Sequence, residues 1–473
     1  MSAGAMPGSG FLPATRKLVA IVIDGLTPPA LEHAVERRLA PALAFLAEQG
    51  TYGRAVSVFP SLTPVCMSSI ATGAHPDVHR IPHLVWYDRG ERRLVEYGSS
   101  LAAIVAAGTR RSIVDTIFTM NERHLSPRAV TLYEALDDAG LVPAAVNVTC
   151  YRGRTRHRAS LPGVARTALG PRRFFYYNLF ESDATGAPLA VRRRAAGSVD
   201  DYAKAVGRWL VTRDGFDFLL YYLSDYDYAS HASGPDSVGV ALSRADRAVA
   251  ALMDAAGGWD EFLERYAVVV CSDHGQTSVT RAARLEESFA ELALFRRGVR
   301  SRAEVAVAAS NRAGQVYRLE QCGVSTRELA ESLDGTAAVE VALFMEDGEA
   351  VARRDGAELR FASRAGPAWA LVGDRAILDG PDALERAWAA LHNPNAGDVL
   401  VSASPGYEFC DLGGRHHAGG GSHGSLSAGD SEVPMLTIGL ARVPRSITEL
   451  APAVLEHFGV EPPPYARQLP RAA

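Results

Sequence analysis

The run Lys17-Leu-Val-Ala-Ile-Val-Ile23, apolar at every position after its lysine, ends directly on Asp24-Gly25. A strand without polar alternation is one buried on both faces, as in a parallel sheet covered by helices. A carboxylate at its carboxyl end falls where open α/β sheets hold ligands and metals. The pattern returns in Tyr266-Ala-Val-Val-Val-Cys271, which runs into Ser272-Asp273-His274-Gly275. Two buried strands that each end in metal-binding side chains restrict the chain more than any bulk property does.

The rest of the sequence fits an α/β sandwich. Further strands are expected over residues 145–149 and 216–222, with a helix over 236–257. Thr27 offers an N-cap with Pro28 at the first helical position, and Leu31, Val35, Leu39, Leu43 and Leu46 follow at near-helical spacing up to Gly50, which predicts one continuous helix. Alternating strands and helices imply a three-layer sandwich around a mainly parallel sheet. Between residues 286 and 395 the texture shifts to short β-like pieces separated by turn dipeptides such as Asp347-Gly348, the mark of an inserted smaller α+β subdomain. The α/β pattern resumes at 397–401 and 434–438, and 447–458 reads as a closing helix. The expected organisation is therefore a discontinuous metal-binding core, 14–285 and 396–473, a cap-like insertion over 286–395, and a flexible segment over 1–13.

Composition narrows the function classes. The 473 residues are 47% hydrophobic, ample for a large core, and the net charge of −5 leaves no basic footprint for a nucleic-acid polymer. No stretch of roughly 18 apolar residues predicts a membrane span. The five cysteines, Cys66, Cys150, Cys271, Cys322 and Cys410, are widely spaced with no Cys-x-x-Cys pair. With no signal-peptide pattern at the N-terminus, they point to a reducing cytoplasm.

Three more segments add chemistry to the two strand ends. Thr63 follows an extended run, and Pro64 suits a first helical position, which places the threonine hydroxyl at a helix N-cap and at the positive end of its dipole. Asp227 and His231 are four residues apart, a spacing that lets both reach one ion, with Asp225 as a rival carboxylate. His423 sits in Gly419-Gly-Gly-Ser-His-Gly424, which reads as a mobile loop able to close over a metal, with His416 and His417 as neighbours. Together these segments supply three imidazoles and three carboxylates, enough for two divalent metals. A dinuclear metal hydrolase is the chemistry they suggest.

In this order the blocks resemble the alkaline phosphatase superfamily, in its nucleotide pyrophosphatase/phosphodiesterase and phosphonoacetate hydrolase branch. The matching elements are Ile23-Asp24-Gly25, Thr63 followed by Ser69-Ile-Ala-Thr-Gly-Ala-His-Pro-Asp-Val-His79, Asp227 to Pro235, Ser272 to Gly275, and His423-Gly424. The resemblance implies one Zn2+ held by Asp24, Thr63, Asp273 and His274, and a second held by Asp227, His231 and His423. It further implies attack by Thr63, a phosphothreonyl intermediate, and a small phosphodiester, nucleotide pyrophosphate or phosphonate ester as substrate. Within that frame Asp227 is favoured over Asp225.

Several positions depart from the family pattern. Pro64 stands where an aromatic residue often follows the nucleophile, so an oxyanion amide has to come from Val65 or beyond. Cys66 and Met67 replace a common Asn-His, Arg80 replaces a glycine, and His83-Leu-Val-Trp-Tyr-Asp88 lacks the asparagine that often contacts phosphate. A dianionic monoester would require a nearby arginine, for which Arg80, Arg152 and Arg154 are the candidates. The alternatives within the superfamily are a phosphate monoesterase or a phosphomutase. From another class, a catalytically inactive binding protein would require a lost ligand.

Overall fold

Strand Lys17–Ile23 occupies the middle of an eight-stranded sheet. The computed structural model describes residues 16–160, 165–177, 179–182, 198–296, 302–363 and 368–466. The expected flexible segment 1–13 lies outside them. Across the sheet the order is Thr51–Val56, Glu432–Ile438, Tyr266–Cys271, Lys17–Ile23, Phe218–Leu223, Pro143–Val146, Arg173–Tyr176 and Phe180–Glu181. Five consecutive strands, from Tyr266–Cys271 to Arg173–Tyr176, run parallel. Glu432–Ile438 is antiparallel to its neighbours on both sides, and Phe180–Glu181 closes the other edge antiparallel.

The unbroken apolar runs have the expected cause. In Lys17–Ile23, Leu18, Ala20 and Val22 pack against one layer, which includes Val65, Ile70, Leu132 and Val454. Val19, Ile21 and Ile23 pack against the other, which includes Leu31, Leu43, Val206 and Leu252. Both faces are covered by helices, so a polar side chain on either would be buried without a partner.

Three local expectations differ from the structure. The single helix expected after Thr27 is two, Pro28–Glu36 and Pro41–Gln49, with Leu39 56% exposed between them. Pro41 cannot donate an amide to a continuing helix, and it starts a new one instead. The strand expected through 149 stops at Val146, because Asn147 takes a left-handed φ of 60°.

The third difference concerns the insertion. Val399–Ala403, read as the chain's return to the core, pairs with Ala313–Arg318 and Val339–Glu346. It belongs to a separate seven-stranded antiparallel sheet ordered Val305–Ser310, Ala313–Arg318, Val399–Ala403, Val339–Glu346, Glu349–Arg354, Ala357–Ser363 and Trp369–Gly373. A short apolar strand is equally at home in either sheet, and sequence patterning does not choose between them. Ala306, Ala308, Ala313 and Tyr317 join the core's own apolar cluster, so the second sheet is packed against the first.

Candidate active site

Three adjacent parallel strands bring the chemistry to one edge. Lys17–Ile23 delivers Asp24, Tyr266–Cys271 delivers Asp273 and His274, and Phe218–Leu223 leads into helix Asp225–Ser233, which carries Asp227 and His231. His423 arrives from far along the chain. Its ring stacks on that of His274 with centroids 3.6 Å apart and planes within 9°. His231 lies 5.2 Å from His423 by the same measure.

The seven residues singled out from the sequence all converge here. His274 Nε2 is 3.2 Å from Asp24 Oδ1, 3.5 Å from Asp273 Oδ2 and 3.2 Å from Thr63 Oγ1. His231 Nε2 is 3.3 Å from Asp227 Oδ2, and His423 Nε2 is 3.9 Å from Asp227 Oδ1. Two ligand groups emerge, Asp24 with Asp273 and His274, and Asp227 with His274 and His423. His274 stands between them. Asp225 does not join either group; its main-chain amide donates to Asp200 Oδ1 at 3.2 Å.

Every imidazole is oriented in the same way. His274 Nδ1 meets Gly275 O at 3.0 Å, His231 Nδ1 meets Gly421 O at 2.8 Å, and His423 Nδ1 meets Ser61 O at 2.7 Å. A carbonyl only accepts, so each Nδ1 carries a proton and each ring turns its Nε2 toward the carboxylates. This is the arrangement that prepares histidine for a metal. The carboxylates are braced as well: Tyr222 donates its hydroxyl to Asp24 Oδ2, Gln276 donates to Asp227 Oδ1, and Gly25 N donates to Asp273 Oδ1 at 3.4 Å.

The electrostatics of the bare protein are strained. Burial and the adjacent Asp24 charge push the Asp273 carboxyl well above the usual range. Burial disfavours charge on His274, but Asp273 and Asp24 overcome it and push the ring up to about 10. Burial also opposes ionisation of Asp227, yet His231, His423 and His274 hold its carboxyl well below its ordinary value. Burial, reinforced by the neighbouring His274, holds His423 well below its own. Asp24 Oδ1 and Asp273 Oδ2 are buried without a hydrogen-bond donor. Three nearly enclosed carboxylates facing the Nε2 atoms of three rings form a donor set that fits divalent cations.

Thr63 sits one residue further into its helix than expected. Helix Thr63–Thr72 has Leu62 at its N-cap and Pro64 in its first turn. Val65 N and Cys66 N both donate to Leu62 O, at 2.9 and 3.0 Å, so the oxyanion amide expected from Val65 onward is already engaged. The Ser69–His79 stretch has a structural use: Ser69 Oγ and His79 Nε2 lie 3.1 Å apart in full burial.

The glycine-rich segment is not the mobile lid its composition suggests. Gly421–Ser422 forms a short ladder with Thr277–Ser278, and residues 420–425 are buried. A side chain at Gly420 would strike the His231 carbonyl, and one at Gly421 would strike Gln276 Oε1. The glycines are there for close approach, which mobility would forfeit. Beside them His417 stacks on His231 at 4.0 Å and contacts the buried Glu408 at 3.0 Å.

The site opens into a cleft of about 1240 Å3 walled by Tyr97, Tyr176, Tyr177, Tyr222 and Tyr228, with Leu84, Ile117 and Leu179. No lysine or arginine lines it among the described residues. Arg152 and Arg154 are tied to Glu134, Arg154 also to Asp138, and Arg80 is exposed outside the cleft. Sequence reasoning missed Tyr222, Gln276 and Asn311, of which Asn311 donates from Nδ2 to His423 Nε2 at 2.9 Å.

A family model described as type I phosphodiesterase / nucleotide pyrophosphatase matches residues 18–426. No curated protein matches the sequence. Among solved structures, the phosphonoacetate hydrolase of Sinorhizobium meliloti 1021 bound to phosphonoformate is similar at 18% identity and a TM-score of 0.60, covering 94% of this chain and 96% of its own. Murine ectonucleotide pyrophosphatase / phosphodiesterase 5 is similar at 14% identity and a TM-score of 0.60, with 97% of each chain covered. The human form is similar at 14% identity and a TM-score of 0.60, over 94% of this chain and 95% of its own.

Proposed function

Since the chain belongs to the type I phosphodiesterase / nucleotide pyrophosphatase family, within the alkaline phosphatase superfamily, we propose that this phosphoester hydrolase is a two-zinc enzyme acting on a phosphodiester, nucleotide pyrophosphate or phosphonate ester. The observation that carries the reading is the common orientation of His231, His274 and His423, each with Nδ1 on a main-chain carbonyl and Nε2 turned to buried carboxylates, beside the Thr63 hydroxyl. Asp24, Asp273, His274 and Thr63 would hold one ion, and Asp227, His231 and His423 the other. Bound there, zinc ions supply charge for the phosphoryl oxygens and lower the pKa of a hydroxyl or water.

The chain's own part is positioning. Thr63 Oγ1 attacks phosphorus in line with the departing oxygen, giving a phosphothreonine and a free alcohol or phosphate. Water then attacks the same phosphorus in line, restoring the threonine hydroxyl. Two in-line steps give net retention at phosphorus. His274 Nε2, 3.2 Å from Thr63 Oγ1, and the carboxylates behind it keep the hydroxyl aimed at the site. The absence of a described cation in the cleft favours a monoanionic diester over a dianionic monoester, which needs more positive charge. The five cysteines are free and buried, which supports a reducing cytoplasm.

Metal analysis of the purified protein should give close to two zinc equivalents, and an aryl phosphodiester should be turned over with higher kcat/KM than the matching aryl monoester. Full activity in a chelated, metal-free preparation would sink the metal mechanism. A strong monoester preference would reverse the substrate assignment.

A further inference from the structure

Asn311 reaches the site from the second sheet, in the tight connection between strands Val305–Ser310 and Ala313–Arg318. Its φ of 55° lies in the left-handed region, which asparagine tolerates better than most residues. The conformation is held on all sides. Phe409 N donates to Asn311 O at 2.6 Å, and Arg312 N donates to His423 O at 2.8 Å. Arg312, 1% exposed, is fastened to Asp430 at 2.8 Å and to the carbonyls of Ser404 and Tyr407, both at 3.1 Å. A buried ion pair and a left-handed residue are both costly, and here both serve to fix the direction of one carboxamide.

That direction is defined by its partners. Ser310 Oγ donates to Asn311 Oδ1 at 3.1 Å, which turns the NH2 group toward His423. His423 already donates from Nδ1 to Ser61 O, so its Nε2 can only accept, and Asn311 Nδ2 fills it with one of its two N–H bonds. Asn311 also lines the cleft alongside Thr63.

We propose that Asn311 is a substrate-binding residue, a neutral donor to a non-bridging phosphoryl oxygen. The inference rests on the two-metal reading. With His423 Nε2 taken by an ion, the amide that now donates to it would need another acceptor, and a phosphoryl oxygen in the cleft that Asn311 lines would supply one. An uncharged donor in a cleft without described cations also suits a singly charged phosphoryl group.

The test compares wild type with Asn311→Gly, which keeps the left-handed backbone unstrained, and Asn311→Asp, which keeps the shape but removes the donors. The zinc-loaded enzymes are titrated with inorganic phosphate by calorimetry, and the metal-free proteins are titrated with zinc. Asn311→Gly should weaken phosphate binding roughly 10- to 100-fold, the loss of a hydrogen bond to a charged group, while zinc stoichiometry stays that of wild type. Asn311→Asp should weaken phosphate at least as much through repulsion. Unchanged phosphate affinity in both variants overturns the proposal. So does a loss of zinc stoichiometry in Asn311→Gly, which would make the residue part of the metal-holding frame. A wild type that binds neither zinc nor phosphate removes the two-metal reading itself, and this inference with it. Wild-type turnover with indifferent Asn311 variants removes only this inference.

Discussion

The two halves of the site are built in different ways. Asp24, Asp273 and His274 stand directly at the ends of two paired central strands, and Asp273 and His274 are wholly enclosed. Asp227, His231 and His423 come from a nine-residue helix and a glycine-rich segment held in place by the second sheet. The first half inherits its rigidity from the sheet. The second depends on struts made elsewhere: Gly421 O under His231, Ser61 O and Asn311 on His423, and Arg312 joined to Asp430 behind them. Precision at a strand end comes with the fold, whereas precision in a loop has to be assembled from added contacts.

The sharpest break lies where both halves meet the nucleophile. Thr63→Ala should lower kcat/KM by roughly 10^4-fold or more with both ions bound, while Thr63→Ser, which keeps the hydroxyl, should retain measurable turnover. If Thr63→Ala kept most of its rate, water would be attacking directly, and the stereochemical outcome would be inversion.

Next in size is the strut behind the second half. Arg312→Met leaves Asp430 buried without its cation and should destabilise the protein by about 3–5 kcal/mol in denaturant melts. Residual folded protein should lose zinc first from the Asp227 and His423 side, seen as one tight and one weakened equivalent. Equal weakening of both equivalents would mean that the halves are not separately supported.

The first half should respond in the opposite sense. Asp273→Asn removes a carboxyl whose ionisation burial and Asp24 oppose, so the metal-free variant should gain stability over wild type as pH rises above the ordinary carboxylate range, while activity is lost. A metal-free variant no more stable than wild type would show that the carboxylate repulsion is already relieved in the wild-type protein.

Much of this contrast was legible in the sequence, and unevenly so. Asp24, Asp273 and His274 announce themselves because an apolar run ending in a ligand has few other uses. Thr63, Asp227, His231 and His423 were legible only as a set in a fixed order. Asn311, Tyr222 and Gln276 were missed because their roles come from partners between 49 and 198 residues away. For Asn311 a faint signal existed, an asparagine between two β-like runs where a left-handed turn residue is wanted. The sheet membership of Val399–Ala403 was hidden for a related reason, since its apolar face fits either sheet. Composition misled at residues 420–424, where the glycines mark close contact.

The smallest effect tests the floor of the second half. Asp200 accepts from Ser224 N at 2.9 Å and from Asp225 N at 3.2 Å, bracing the start of the helix that carries Asp227. Burial, then the Asp225 charge, pushes its carboxyl up to about 7 from an ordinary 3.8. The folded protein therefore holds a proton that the unfolded chain has released, and stability contributed by that proton is lost as pH rises from about 4 to about 7. Asp200→Asn should flatten this part of the stability profile, read from melts across that window. An unchanged slope would place the carboxyl in contact with solvent.

The bond from His423 to Ser61 spans 362 positions of the chain, and the Glu432–Ile438 strand, wedged between Tyr266–Cys271 and Thr51–Val56, is laid down later still. A ribosome thus releases Asp24, Thr63, Asp227 and His274 before the His423 segment that completes the site. Such distant pairing makes assembly slow and late. On the two-metal reading, metal capture would come late in folding, after the His423 segment has joined the strand ends.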